Sequence, residues 1–257
     1  MFKVSTLVSC FVCFAGLAAP DPKLRADFAS SGFQPSLCLR GAVLFEDDFT
    51  GSLKPEWVPS YKTRWAAAGG VLTGQPATEA DQAAAHDKQH GGSAPSIQLN
   101  VPTRDCIVAY EFKLGPKNTA QNIVFNDGTH LSGTGHVSSV QFHVRLGVVL
   151  SKKKNTKQDG DADVDLSVSD WKPVAGKWYQ VMEEMRGDTI VVRISGGPSL
   201  KAKDPRFDIP KTFLSLGAWG GDAISYRNFR IWADAPDAKL EALRDKGLPK
   251  SPQTKGK

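Results

Sequence analysis

Cysteine is scarce, with four in 257 residues, and two of these, Cys10 and Cys13, lie in the first apolar stretch. A cysteine-dense disulfide scaffold and a cysteine-built metal domain are thereby excluded. Long hydrophobic runs are missing as well. The one extended apolar stretch, Val4 to Leu17, is ended by Pro20-Asp21-Pro22, short of the roughly 20 residues that cross a bilayer. No charge of one sign dominates: 32 Lys and Arg face 27 Asp and Glu, a net charge of +5. Removing Lys3 with the first segment leaves 5 − 1 = +4, and residues 236–257 alone hold six basic against three acidic residues. No basic-aromatic motif accompanies that charge, so nucleic acid is not an expected partner.

What the chain does have is 24 Gly, 16 Pro and 40% hydrophobic residues, the composition of a soluble globular protein with many turns and short strands. Residues 1–19 read as a secretory signal: Lys3, the apolar stretch, then Gly16-Leu17-Ala18 as a small-x-small cleavage site. The expected location is therefore secreted or periplasmic, without membrane insertion after cleavage. Export leaves Cys38 and Cys106. They either pair, closing a loop worth ~4 kcal/mol, or stay as two buried thiols, and the residues leave both readings open.

Residues 20–42 form an irregular leader expected to pack late or poorly, 43–233 the ordered domain, and 234–257 a short amphipathic helix (Asp237 to Lys246) with a disordered basic tail. Trp65 and Val71-Leu72 flank Gly69-Gly70 as a hairpin signal. Residues 73–94 read as a long loop. Its His86 and His90 have the spacing of a helical metal pair, but no acid stands between them and glycines follow, so they read as solvated histidines. Lys177 to Arg186 and Thr189 to Ser195 form a hairpin turning at Gly187-Asp188. In all, ten to twelve strands are expected, the pattern of an all-β, two-sheet sandwich.

The stretch Val137 to Leu150 organises the rest. From Ser139 to Leu146 it alternates, with Val140, Phe142, Val144 and Leu146 on one face and Ser139, Gln141, His143 and Arg145 on the other. The second face carries an amide, an imidazole and a guanidinium, groups that hydrogen-bond hydroxyl-rich ligands with direction.

Leu44-Phe45-Glu46-Asp47-Asp48-Phe49, Trp57, Trp65 with Gly69-Gly70-Val71-Leu72, Tyr110-Glu111-Phe112, Trp178-Tyr179 and Tyr226-Arg227-Asn228-Phe229-Arg230-Ile231 follow in that order. Together they resemble the bacterial 3-keto-disaccharide hydrolase domain, also called the 3-keto-glucoside lyase/hydratase domain, over about residues 43–233. The resemblance implies a concanavalin A-like jelly roll with a concave sheet that receives a saccharide or glycoside. Two departures stand out: Gly135-His136-Val137 lacks the family's Glu, and Ser195-Gly196-Gly197 replaces its Asn-Gly hairpin.

Family 16 laminarinases use a Glu-x-Asp-x-x-Glu strand, absent here, and Glu183 and Glu184 are adjacent, hence on opposite faces. Carboxyl-pair hydrolysis is not expected. Elimination or hydration at a keto-sugar needs a base and an electrophile instead. His143 with Arg145, backed by Glu111 or His136, is the candidate catalytic set. Gln141, Ser139, His136 and Trp219 are the candidate sugar contacts. Asp159, Asp161 and Asp163 imitate the start of a calcium loop, with Val164 where the loop needs Gly; the other reading is a hairpin tip neutralised by Lys152 to Lys157. A divalent metal, calcium or a transition metal, is the only candidate cofactor. Three function classes remain: an enzyme acting on 3-keto-glycosides, a non-catalytic carbohydrate-binding or adhesion domain, and a structural envelope protein with no ligand.

Overall fold

The computed structural model describes residues 33–86, 91–128, 135–155 and 158–235. The expected signal, His90 and the C-terminal helix and tail lie outside them. Among the described residues, no helix is long and apolar enough to cross a membrane.

Among the described residues, fifteen strands build two antiparallel sheets. They are β1 (Arg40–Asp47), β2 (Trp57–Pro59), β3 (Arg64–Ala68), β4 (Val71–Gln75), β5 (Ser96–Leu99), β6 (Cys106–Leu114), β7 (Ala120–Asn126) and β8 (His136–His143) in the first half. Then follow β9 (Gly147–Lys152), β10 (Val164–Ser169), β11 (Trp178–Arg186), β12 (Thr189–Ile194), β13 (Ser199–Lys203), β14 (Phe213–Trp219) and β15 (Ile224–Asp234). One sheet runs β13-β12-β11-β6-β15-β4-β3, with β1 also on β15; the other runs β10-β9-β8-β7-β14-β5-β2. The all-β jelly-roll expectation holds. The strand count exceeds it because elements as short as β2 carry too few residues to show a period. Within the expected loop, α1 (Glu79–Ala83) forms a single short helix capped by Thr78.

The core is the period-two alternation of both sheets brought face to face. Tyr110 and Phe112 from β6, Val140 and Phe142 from β8, and Tyr226, Phe229 and Ile231 from β15 meet in one cluster. Aromatic rings dominate it, with Trp57 edge-on to Phe229 at 5.1 Å and Phe112 at 5.2 Å from Phe142. Each such pair adds roughly 0.5–1.5 kcal/mol beyond burial.

Two of the landmark motifs are explained by this packing. Buried Asp47 accepts from Phe49 N (2.9 Å) and Trp57 Nε1 (3.0 Å), which fixes the turn after β1 and seats the tryptophan. In β15 a bulge between Arg227 and Arg230, with Asn228 at φ 53°, returns Phe229 to the core side.

The described part of the leader is ordered against the domain. Residues 33–39 lie across the outer face of the first sheet, where Phe33, Leu37 and Cys38 pack on Ile107, Ala109, Met182 and Trp232. The Glu184 carboxylate holds this strap through the N–H groups of Ser36, Leu37 and Cys38. Of the two readings of the cysteines, the free-thiol one describes the structure. Cys106 faces the core while Cys38 sits under the strap on the other side of the sheet, its thiol donating to Met185 O at 3.3 Å. The sheet between them forbids the pairing.

Candidate functional site

The opening stretch lands in the middle of the seven-stranded sheet, as β8. Val140 and Phe142 point into the core, and Gln141 and His143 point out. The alternation stops one residue later. Val144 to Leu146 form the turn into β9, so Leu146 is 69% exposed and Arg145 lies in the turn, exposed, instead of in line with His143. The turn is sharp because Gly147 sits at φ 99° with its Cα against Ser169 O, a position with no room for a Cβ.

Neighbouring strands complete the outward face. Gln141 pairs with Asn122 of β7, which pairs with Gly217 of β14; His143 pairs with Ala120, which pairs with Trp219. The next row is Ser139, Val124 and Ser215, continued by Ser151 of β9 and Asp165 of β10 on one side and Gln98 of β5 on the other. His136 closes the far end, its Nδ1 on Asn126 Oδ1, and Asn126 Nδ2 reaches Ser215 Oγ at 3.4 Å. Five expected residues thus share one face: His136, Ser139, Gln141, His143 and Trp219. Seven residue steps separate His136 from His143, a row of roughly 20 Å.

The chemistry of that row is polar and close to neutral. His143 Nε2 is 2.9 Å from Gln141 Oε1, and in the tautomer protonated at Nε2 it donates to that oxygen and leaves the Nδ1 lone pair available. Burial lowers the His143 pKa, an effect that Asp165 opposes but does not cancel, and the imidazole is therefore uncharged near neutrality. Its ring meets Trp219 edge-on at 5.3 Å, and Trp219 is 44% exposed. Ser139 Oγ and Asn122 Oδ1 are buried without a hydrogen-bond partner, and such groups call for a ligand or water that satisfies them. Asn122, beside inward Ile123, is a further polar residue of this outward face.

Two expectations are corrected by position. Glu111 cannot back His143, because it belongs to β6 and faces out from the opposite sheet. There it accepts from Arg227 Nε and Asn228 Nδ2, both at 2.7 Å, and so locks the β15 bulge. Across all seven strands of the His143 sheet, Asp165 is the one carboxylate, and it accepts from Ser151 Oγ at 2.7 Å. The acidic run does not fit a calcium loop. Asp161 is held by Lys152 and by Asn155 N, and Asp163 by Lys153 Nζ (3.0 Å) and Lys154 N (2.8 Å). Asp159 is exposed, and no cluster of three or more metal-ligating side chains exists among the described residues. His86 is exposed too.

No family model matches the sequence, and neither does any curated protein. Solved structures do match. LamA from Z. galactanivorans, in complex with laminaritriose and laminaritetraose, superposes with a TM-score of 0.55 at 12% identity over 76% of this chain and 100% of that one. A galectin-like protein of unknown function from Bacillus subtilis gives 0.56 at 13% identity (78% and 100%). The carbohydrate-binding module CBM66 from Bacillus subtilis gives 0.51 at 13% identity (69% and 96%). At such identities the likeness is one of architecture, and the chain is a jelly-roll β-sandwich.

Proposed function

We propose that this protein binds a neutral saccharide on the outward face of its seven-stranded sheet, as a non-catalytic recognition domain. The observation that carries the reading is the single polar row of Ser139, Gln141 and His143 with Asn122 beside it and Trp219 at its rim. Hydroxyl-rich ligands are recognised by directional donors and acceptors under one aromatic plane. Two of the structural neighbours, LamA with its laminari-oligosaccharides and CBM66, support the same ligand class. Export by the signal at residues 1–19 would bring the domain to extracellular glycans.

The finer reading, hydration or elimination of a 3-keto-glycoside, is favoured by the uncharged His143, whose free Nδ1 can accept a proton. It lacks the other half of the chemistry. The imidazole is oriented by Gln141 and not by a carboxylate, and Arg145 stands outside the row. Calorimetric titration with neutral oligosaccharides and incubation with 3-keto-glucosides, with and without divalent metal, separate the two. The wild-type chain is expected to bind without turnover, and Gln141→Ala and Trp219→Ala to bind at least roughly tenfold more weakly. Turnover lost in His143→Ala would establish the enzyme. A wild-type chain that binds no glycan would remove both readings.

A further inference from the structure

Past Ser139 the outward face acquires a charge. Ser139 pairs with Ser151 of β9, and Ser151 pairs with Asp165 of β10, so the three side chains share one side of the sheet. Ser151 Oγ donates to Asp165 Oδ1 at 2.7 Å and fixes the carboxylate at the end of the row. Asp165 is exposed, and among the described residues no Lys or Arg pairs with it.

Nothing else on the face balances that charge. Lys152 is the one basic residue within the seven strands. It pairs with Ser138 in the inward register and is tied to Asp161 and to Ala162 O. Lys153, which follows it, is neutralised by Asp163 at 3.0 Å. Arg145 stands in the turn, and among the described charges Asp165 is the one that acts on the His143 ring. The chain as a whole carries +5, so this face and the molecule have opposite signs. Two strand spacings, roughly 10 Å, separate β10 from β8, about one screening length at physiological salt. A glycan laid across the strands from Gln141 toward β10 comes within that reach.

Building on the saccharide reading above, we infer that Asp165 sets the charge selectivity of that face, favouring glycans that bear a protonated amine over neutral ones and disfavouring those that bear a carboxylate or sulfate. The carboxylate is acceptor-only and suits an ammonium, which is donor-only. An acidic sugar would set like charge against like, and such repulsion is itself a source of specificity.

The test is a titration series of matched β-1,4-linked tetramers of glucose, glucosamine and glucuronic acid, at low and at high salt and at a pH that keeps the amine protonated. The chains are wild type, Asp165→Asn and Gln141→Ala. Wild type is expected to bind the glucosamine tetramer roughly twofold to fivefold more tightly than the glucose one, and the glucuronic acid tetramer more weakly by a similar factor. Both differences should fade at high salt. Asparagine keeps an oxygen for Ser151 Oγ and loses the charge, so in Asp165→Asn the three affinities converge. Equal wild-type affinities, the reverse order that the net charge alone would give, or a ranking that persists in Asp165→Asn would overturn the inference; with Gln141→Ala weakened throughout, the saccharide reading would still stand. Absence of wild-type binding to the whole series would overturn both.

Discussion

Replacing Glu184 by Ala is expected to lower the unfolding free energy by about 3–5 kcal/mol and to open Cys38 to thiol reagents in the folded protein. The Glu184 carboxylate is fully buried and anchors the middle of the strap, with Arg193 on Gln34 O and Asp234 on Leu39 N holding its two ends. It accepts from Ser36 N (2.8 and 3.0 Å), Leu37 N (2.7 Å), Cys38 N (3.0 Å) and Ser36 Oγ (3.0 Å), and it pairs with Arg193 at 3.0 Å. Alanine removes the acceptor from three amides and a guanidinium at once, and leaving such groups orphaned costs more than the bonds themselves contribute. The strap then lifts from Ile107, Ala109, Met182 and Trp232. Burial, reinforced by Asp234, holds the Cys38 thiol well above its usual pKa and keeps it inert while the strap is seated. Denaturant unfolding with thiol labelling under native conditions measures both effects. A variant with a wild-type midpoint and an unlabelled Cys38 would show that the strap is passive.

Its neighbour behaves in the opposite way: Glu183→Gln is expected to stabilise the protein by about 3 kcal/mol at pH 7. Glu183 points into the core, where neither carboxyl oxygen has a hydrogen-bond partner. Burial pushes its pKa from 4.5 up to about 8, even though the Lys211 ammonium pulls the other way. Below pH 4.5 the carboxyl is protonated in both the folded and the unfolded chain, and the shift costs nothing. Between pH 4.5 and about 8 the folded protein keeps a proton that the unfolded chain has released, so stability falls as pH rises. Above about 8 the penalty is complete. Glutamine has the shape of the protonated acid without its titration. The advantage of the variant should therefore vanish near pH 4.5, grow with pH and level off above 8. Unfolding free energies at pH 4.5, 7 and 8.5 check this, and a difference independent of pH would contradict it.

That the two glutamates take opposite faces was legible from their adjacency alone, because side chains alternate on a strand. The same period placed Phe142 inward and Gln141 and His143 outward correctly. It misled at Leu146, since alternation alone does not mark where a strand gives way to a turn, and Gly147 was the only local sign. Nor does alternation say which sheet a strand joins. Glu111 reads like a partner for His143, yet β6 and β8 belong to opposite layers, and only pairing across the whole chain decides that. The strap was illegible for a related reason: residues 33–39 have no period of their own, and their anchor stands about 150 positions away. The most specific motif of the resemblance, around Arg227 and Asn228, serves a bulge that returns Phe229 to the core, so it reports architecture more than ligand.

The most direct trial of the saccharide face is a residue-resolved NMR titration with the glycan that binds most tightly in the series above. The account predicts shifts concentrated at the Asn122 and Gln141 side-chain amides, the His143 ring, Ser139 and the Trp219 indole N–H. Shifts confined to Trp178, Arg227 and Glu111 on the opposite sheet, with the Gln141 row unmoved, would contradict it.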